Sequence, residues 1–287
     1  MLVYDGMTST ERSLFFMQEN KNRLAAFFDI DGTLINIVRG QTKITPRVRA
    51  AIRRLRAAGG VTFIASGRPT GYLDPELLDD DLFDGYVLMN GAHVIVHGET
   101  IYAQPLPKAV VKDITERCEA RGIEYILEGP VGVYLKPEYA YTEAFYNNID
   151  IDTGAFIRSY DLASLDICKI ECYTTDAERA AYFETLLKTP GLTGVMDPFH
   201  LKNLELYSAT ETKGTGVLHA LAALGIPVEQ SYAFGDGLND IEMMQTVGHA
   251  LVMANAREQV KAVAETIVPG VDDDGAAWGI EHVLLKE

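Results

Sequence analysis

The sequence is poor in cysteine and has no long apolar segment. Its 287 residues include only three cysteines, Cys118, Cys168 and Cys172, and their number and spacing fit neither a disulfide framework nor a zinc site. No apolar run approaches the roughly 18 residues that a membrane-spanning helix requires, and no basic segment leading into an apolar one opens the chain. These absences predict a cytoplasmic protein without a membrane partner.

Basic residues are also scarce. The chain has 25 lysines and arginines against 41 aspartates and glutamates, which gives a formal net charge of −16. Such a charge repels nucleic acids and anionic lipid surfaces, so we expect neither as a partner. It does not exclude a small phosphorylated ligand, because a metal ion or clustered backbone N–H groups can reverse the field locally.

Strands and helices alternate along both ends of the chain, a pattern typical of a parallel α/β sheet. Residues 24–28 form a continuous apolar run, as expected for a strand that is covered on both faces. Thr45 and Pro46 offer an N-cap and a first helical residue, and Gly59 can end that helix. Further strands are predicted at residues 61–65, 86–89 and 232–234. We therefore predict a doubly wound, Rossmann-like parallel sheet as the core.

The middle of the chain has a different character. Residues 91–208 are rich in tyrosine, and the segments "VGVYLKP" and "DICKIECY" alternate apolar and polar residues, as in an antiparallel sheet with one covered face. Within the second segment the cysteines are predicted to be buried, on a half-buried strand. At 287 residues a single core tends to divide, so we predict an inserted α+β domain at 91–208. The core is then formed by 23–90 and 209–287, and 1–22 is an N-terminal extension.

Two carboxylates follow the first predicted strand, in the segment "FFDIDGTL". On an extended chain Asp29 and Asp31 point the same way, and Gly32 permits a sharp turn after them. Two like charges this close repel each other unless a cation lies between them or one is protonated. Carboxylate oxygens are ligands that magnesium prefers, and Asp236 and Asp240, which follow another strand, would add more of them. The pattern favours a magnesium site at the carboxyl ends of the strands.

Taken singly, the other polar residues have ordinary structural interpretations. Ser66 can cap a helix, Lys213 can be a solvated surface lysine, and "GDGLND" can be a plain turn. Arg68 and Asn90 can equally tie loops together or touch a substrate. Only the set as a whole points to one chemistry.

As a set, the motifs resemble those of the haloacid dehalogenase superfamily of phosphohydrolases, and within it the Cof-type subfamily with a class IIB cap. "DIDGTL", "ASGR", "ETKGTGVLHALAALGI" and "FGDGLNDIEMM" resemble its four motifs, in order, with an insert of cap size between the second and the third. "MNGAHV", "VMANAREQVKAVAE" and "DDDGAAWGIEHVL" also follow the subfamily. The resemblance extends from about residue 24 to the end of the chain.

The resemblance implies a magnesium-dependent phosphatase that works through a phosphoaspartate. Asp29 would be the nucleophile and Asp31 the general acid and base. Ser66 and Lys213 would complete the catalytic set by holding the phosphate, and the Lys213 charge would stabilise the transition state.

The same resemblance implies the binding residues. The metal ligands would be Asp29, the backbone carbonyl of Asp31, and Asp236. Asn239 and Asp240 would orient metal-bound water, Lys213 or both. Contacts to phosphate or substrate are expected from Ser66, Gly67, Arg68, Asn90, Lys213 and Asn239. The substrate would be a small phosphorylated metabolite, such as a sugar phosphate. The inserted cap would determine which of these metabolites the enzyme accepts.

Two alternatives stay open. The first is a phosphotransferase of the phosphohexose mutase type, in which a sugar hydroxyl replaces water as the acceptor; the four motifs do not separate it from a phosphatase. The second is a non-catalytic binding or regulatory protein, which the intact set of Asp29, Asp31, Ser66, Lys213 and Asp236 disfavours. The sequence does not decide between a monomer and a homodimer.

Overall fold

A computed structural model describes residues 23–148, 151–196 and 202–286. The predicted extension, residues 1–22, lies outside these. The chain divides into two compact units. The core unit comprises the described residues up to 66, 74–102 and those from 212 onward, and the cap unit comprises 67–73 and the described residues of 103–211. The domain boundaries at 91 and 208 stay a prediction.

An eight-stranded sheet forms the centre of the core unit. Its strands are β1 Ala25–Phe28, β2 Val61–Ala65, β3 Gly85–Leu88, β4 His93–Val96, β5 Glu99–Ala103, β11 Ser231–Gly235, β12 His249–Met253 and β13 Thr266–Val268. Their order in the sheet is β13-β12-β11-β1-β2-β3-β4-β5. The strands from β13 to β3 run parallel, and β4 returns antiparallel to β3. The connections reverse direction beside β1, where a parallel sheet opens a crevice at its carboxyl ends.

Helices cover both faces of this sheet. They are α1 Pro46–Ala57, α6 Lys213–Leu224, α7 Ile241–Thr246, α8 Glu258–Lys261 and α9 Gly275–Gly279. Phe27 packs with residues of α6 and α7 in one apolar cluster, whereas Phe28, on the opposite face, stacks on Phe234. All four residues of β1 are buried, as expected for a strand between two helical layers. The predicted fold class, a doubly wound α/β core, is confirmed.

The first helix follows its sequence signals closely. The Thr45 hydroxyl accepts a hydrogen bond from the backbone N–H of Val48, and Pro46 is the first helical residue. The residues at i, i+3, i+4 and i+7 are all buried: Val48, Ala51, Ile52 and Leu55. Gly59, just past the C-cap, has a φ of +93°, a conformation that glycine adopts without steric cost.

The cap unit is built on an antiparallel sheet. Its strands are β6 Glu124–Glu128, β7 Val133–Leu135, β8 Lys169–Tyr173, β9 Leu192–Met196 and β10 Asn203–Ser208, in the order β7-β6-β8-β10-β9. Its helices are α2 Lys108–Glu119, α3 Ala140–Asn148, α4 Ala177–Ala180 and α5 Phe183–Leu187. Cys118 and Cys172 lie in an apolar cluster of this unit, and Cys168 is buried as well.

The other face of β8 was expected to be exposed, and this expectation is wrong. Lys169 and Glu171 are both buried. The Lys169 Nζ atom lies 2.6 Å from Glu171 Oε1, 3.1 Å from Glu205 Oε2 and 3.3 Å from Glu128 Oε2. It also donates to the carbonyl of Gly67 at 3.1 Å. Polar residues can be buried on this strand because the Lys169 ammonium offsets part of the negative charge of the carboxylates around it.

A sharp turn after β3 packs against the start of α6. Met89, Asn90 and Gly91 have consecutive positive φ angles of 49°, 54° and 96°. A Cβ atom on Gly91 would lie 2.0 Å from the carbonyl oxygen of Thr212, and Thr212 is the N-cap of α6. Only glycine permits this approach of two backbones.

Within the described ranges, every helix is too short or too polar to cross a lipid bilayer.

We expect Lys169→Met to destabilise the cap unit by about 3–5 kcal/mol near pH 8, because it leaves three carboxylates without their cation. The unpaired glutamates would have raised pKa values, so the folded state would bind more protons than the unfolded state. The deficit relative to the wild type should therefore shrink toward pH 5. Urea unfolding at the two pH values measures this loss in the free energy of unfolding, and hydrogen exchange in β6, β8 and β10 locates it in the cap unit.

The control is Lys108→Met, which removes an exposed ion pair with Asp166 and should cost under about 1 kcal/mol at either pH. Equal losses in both variants would contradict the cluster's role.

Gly91→Ala should destabilise the core unit by about 3 kcal/mol, since it adds a steric clash to an unfavourable backbone conformation. Gly98→Ala is a matched control: Gly98 has a φ of +81°, but an added Cβ would meet nothing within 4 Å. The control should show only the backbone cost of about 1–2 kcal/mol. Thermal and urea unfolding of the two variants compare them. If Gly91→Ala is no less stable than Gly98→Ala, the close contact with Thr212 carries no energetic weight.

Candidate functional site

The polar residues that follow β1 and β11 meet the first residue of α6 at the carboxyl edge of the core sheet. β1 and β11 are adjacent and parallel, so Asp29 and Asp236, each directly after its strand, are brought to the same edge. The backbone N–H of Asp29 donates to the carbonyl of Phe234 at 2.9 Å, which extends the pairing to the site itself. Residues more than 200 positions apart in sequence thus come together through strand order alone.

Lys213 is the centre of this site. Its Nζ atom lies 2.6 Å from Asp29 Oδ1 and 2.6 Å from Asp240 Oδ1. Only 1% of Lys213 is exposed, which rules out the solvated surface lysine. Burial alone would lower the pKa of Lys213, but the carboxylates of Asp240 and Asp29 outweigh it and raise that pKa above its ordinary value. The lysine therefore stays charged.

Asp240 is held by three hydrogen-bond donors. Its Oδ1 atom accepts from Lys213, and its Oδ2 atom accepts from the backbone N–H groups of Asp236 at 3.0 Å and Gly237 at 2.8 Å. The side chain is completely buried. Asp240 thereby fixes the turn that carries Asp236 and holds one side of the Lys213 ammonium.

The Asp236 carboxylate is held by neutral donors. The Thr33 hydroxyl donates to Oδ1 at 3.2 Å, and the Asn255 amide donates to Oδ2 at 3.1 Å. Gly32, with a φ of +88°, lies directly against this carboxylate, and a Cβ atom there would come within 2.3 Å of Oδ2. The turn "DGT" therefore requires glycine so that the two loops can close on each other.

Ser66, Asn90 and Asn239 form a second group in the core unit. The Asn90 N–H donates to the carbonyl of Ser66 at 3.2 Å, and Asn239 donates through Nδ2 to Asn90 Oδ1 at 3.3 Å. Ser66 and Asn90 are buried, and Asn90 is held in the left-handed region with a φ of 54°. The loops after β2, β3 and β11 are thus tied together.

The carboxylates create a local excess of negative charge. Asp29, Asp236 and Asp240 each present an oxygen within 4.8 Å of the others, and Lys213 supplies a single positive charge. Burial and the charge of Asp240 raise the pKa of Asp29 well above its usual range, and Lys213 opposes that rise. Burial and Asp240 likewise raise the pKa of Asp236 to about 6. A divalent cation would remove this penalty, so the donor set fits a metal.

The remaining predicted residues are Asp31, Gly67 and Arg68. Asp31 is exposed in the turn after β1 and, with Asp236, lines a cavity of about 630 Å³. Gly67 and Arg68 belong to the cap unit, where Arg68 donates to the carbonyl of Tyr72 at 3.3 Å. The roles assigned to all of these residues stay predictions.

The sequence analysis overlooked Asn255. This residue lies two positions after β12, in the segment "VMANAREQV", and its amide reaches the carbonyl of Gly32 at 2.9 Å in addition to Asp236. The signal was available: a polar side chain directly follows an apolar strand of the same parallel sheet, as with Asp29 and Asp236.

Known proteins with the same organisation support these observations. The Bacillus subtilis protein YkrA is 27% identical over 269 residues, which cover 91% of this chain and 98% of YkrA. The 5-amino-6-(5-phospho-D-ribitylamino)uracil phosphatase YwtE of Bacillus subtilis is 26% identical over 282 residues, covering 89% of this chain and 96% of YwtE. A solved structure of the subclass IIB sugar phosphatase BT4131 superposes with a TM-score of 0.75 at 28% identity, over 90% of this chain and 98% of that one.

The family model of the haloacid dehalogenase-like hydrolases matches residues 26–280. The predicted family and the predicted enzyme class, a phosphatase, are thereby confirmed, and the alternative of a non-catalytic protein is disfavoured. The chain belongs to the haloacid dehalogenase-like hydrolase family.

Proposed function

We propose that this protein is a magnesium-dependent phosphatase that hydrolyses small phosphorylated metabolites through a phosphoaspartate on Asp29. The observation that carries this proposal is the position of the Asp29 carboxylate, which lies 2.6 Å from a buried, charged lysine. It also lies within 4.8 Å of two further carboxylates, Asp236 and Asp240. With a cation bound, a carboxylate in this setting would be ionised without a neighbouring base and could approach an anionic phosphate.

Asp29 and Asp236 would hold the metal through their carboxylates, and Asp31 through its backbone carbonyl. Bound magnesium would supply charge that offsets the repulsion between Asp29 and the substrate phosphate. Asp240 is the poorer ligand, since three donors already occupy its oxygens. Its proposed role is to orient Lys213 and Asp236. Asn239, which donates a hydrogen bond to Asn90, would help to hold the loop after β11 in place.

In the first step an Asp29 oxygen forms a bond to phosphorus, and the bond from phosphorus to the leaving oxygen breaks. Asp31 donates its proton to that leaving oxygen. In the second step Asp31 takes a proton from water, the water oxygen bonds to phosphorus, and the aspartyl–phosphorus bond breaks. Inorganic phosphate leaves, Asp29 is regenerated as a carboxylate, and Asp31 is again protonated. Lys213 would stabilise the charge on the phosphoryl oxygens, with the Ser66 hydroxyl as a further donor.

The substrate class is inferred from the relatives. The names of BT4131 and YwtE describe a sugar phosphatase and a phosphatase of a phosphorylated ribityl compound, and both classes of substrate are phosphate esters of polyhydroxylated carbon chains. We infer the same class for this chain, with water as the acceptor.

Phosphate release from a panel of sugar phosphates, pyridoxal phosphate, flavin mononucleotide and nucleotides tests this proposal. We expect sugar phosphates to be the best substrates and turnover to stop when the metal is chelated and to return with Mg²⁺. Full turnover after exhaustive chelation would refute the metal requirement. Conversion of a hexose 1-phosphate into its 6-phosphate without free phosphate would instead identify a phosphotransferase.

Asp29→Asn should lower turnover by roughly 10³-fold or more, because the amide is no nucleophile. It should not unfold the protein, since Lys213 keeps Asp240 as its counter-ion. Beryllium fluoride should form an adduct with Asp29 in the wild type, visible by ¹⁹F NMR, and none with the variant. Asp81→Asn, at an exposed aspartate, is the control and should match the wild type. An adduct that persists in Asp29→Asn would place the phosphoryl group on another residue.

A further inference from the structure

Asn255 connects three loops of the core unit. Its Nδ2 group donates to the carbonyl of Gly32 at 2.9 Å and to Asp236 Oδ2 at 3.1 Å. Its Oδ1 atom accepts from the backbone N–H of Val271 at 2.9 Å. The loops after β1, β11 and β13 thus meet on one amide side chain, although Asn255 itself is exposed.

The two acceptors of Asn255 adjoin the proposed metal ligands. Asp236 is one of these ligands, and Gly32 follows Asp31, whose carbonyl is another. With Thr33 on Oδ1 and Asn255 on Oδ2, the plane of the Asp236 carboxylate is fixed from both sides. Because both donors are neutral, they orient the carboxylate without cancelling its charge.

We infer that Asn255 is a positioning residue for the metal site, which orients the Asp236 carboxylate and the turn that presents the Asp31 carbonyl. This inference rests on the proposed magnesium site. A cation bound through few protein ligands depends on the orientation of each of them, because Mg²⁺ demands near-octahedral geometry. Without the Asn255 amide, the Asp236 carboxylate would keep its hydrogen bond from Thr33 but could rotate. The "DGT" turn would also lose the hydrogen bond that the carbonyl of Gly32 accepts from Asn255.

The test compares Asn255→Ala with Asn36→Ala. Asn36 donates through its amide to Asp272 Oδ1 at 2.7 Å, so it ties the loop after β1 to the loop after β13 just as Asn255 does. It is a matched control for loop tethering, since its side-chain amide donates to Asp272 and not to Asp236. Both variants remove one side-chain amide and leave every proposed ligand in place.

Calorimetric titration with Mg²⁺ alone, without substrate, gives the first readout. We expect Asn255→Ala to raise the dissociation constant about tenfold, within the range typical of residues that orient metal ligands, and Asn36→Ala to change it less than about twofold. The Mg²⁺ concentration for half-maximal turnover should rise in parallel, while KM for the substrate at saturating Mg²⁺ stays the same. Melting temperatures of the metal-free variants should be similar.

An unchanged Mg²⁺ affinity in Asn255→Ala, or an equal loss in Asn36→Ala, would overturn the inference and leave the proposed function intact. A wild-type chain that binds no Mg²⁺ would overturn the metal site, and with it both proposals. If Asn255→Ala does not fold, Asn255→Ser replaces it. Its hydroxyl is too short to reach both acceptors, so the same rise is expected, and wild-type affinity would again overturn the inference.

Discussion

The site depends on one buried ammonium group. Removing a lysine from water is costly unless its charge is fully paired, and Lys213 meets that condition with two carboxylate oxygens at 2.6 Å. Asp240 is itself held by two backbone N–H groups, so the lysine is anchored to the turn after β11. Its second contact, to Asp29, then sets the orientation of the carboxylate that ends β1. The packing of Gly91 against Thr212 fixes the position of the first turn of α6, and Lys213 is the first residue of that helix.

Around this centre the carboxylates are held by two kinds of donor. Asp240 accepts hydrogen bonds from a lysine and from two backbone N–H groups, and in the proposed site it would orient its neighbours. Asp236 is held by a hydroxyl and an amide, which restrict its rotation and leave its charge in place. A lysine in the position of Asn255 would hold Asp236 equally well, but it would neutralise the charge that attracts a cation. The neutral donor is therefore the one compatible with a metal site.

The parts of the fold that follow from local patterns could be predicted from the sequence. The apolar run of β1, the caps of α1 and the polar turns at the strand ends all depend on neighbouring residues, and the structure has them where the patterns place them. Lys213 alone resembled a surface residue; only the resemblance of its motif assigned it to the site, and the structure shows that it is buried. Lys169 and Glu171 were expected to be exposed, because alternation along β8 does not reveal that the Lys169 ammonium is surrounded by carboxylates on β8 itself and on both neighbouring strands. Asn255 follows an apolar strand, which was a usable signal, but the pattern does not reveal its partners, which are more than 15 residues away in sequence.

Within the described residues, each unit has a buried lysine among several carboxylates, yet the surplus negative charge can be neutralised in different ways. In the cap unit Lys169 faces three glutamates, and burial raises the pKa of Glu171 well above its usual range and that of Glu128 as well. A proton can balance such a cluster, because both carboxyl groups are enclosed. In the core unit Asp236 borders a cavity of about 630 Å³, through which an ion can reach the carboxylates. The same excess of acid over base therefore favours a protonated network in one unit and a cation in the other.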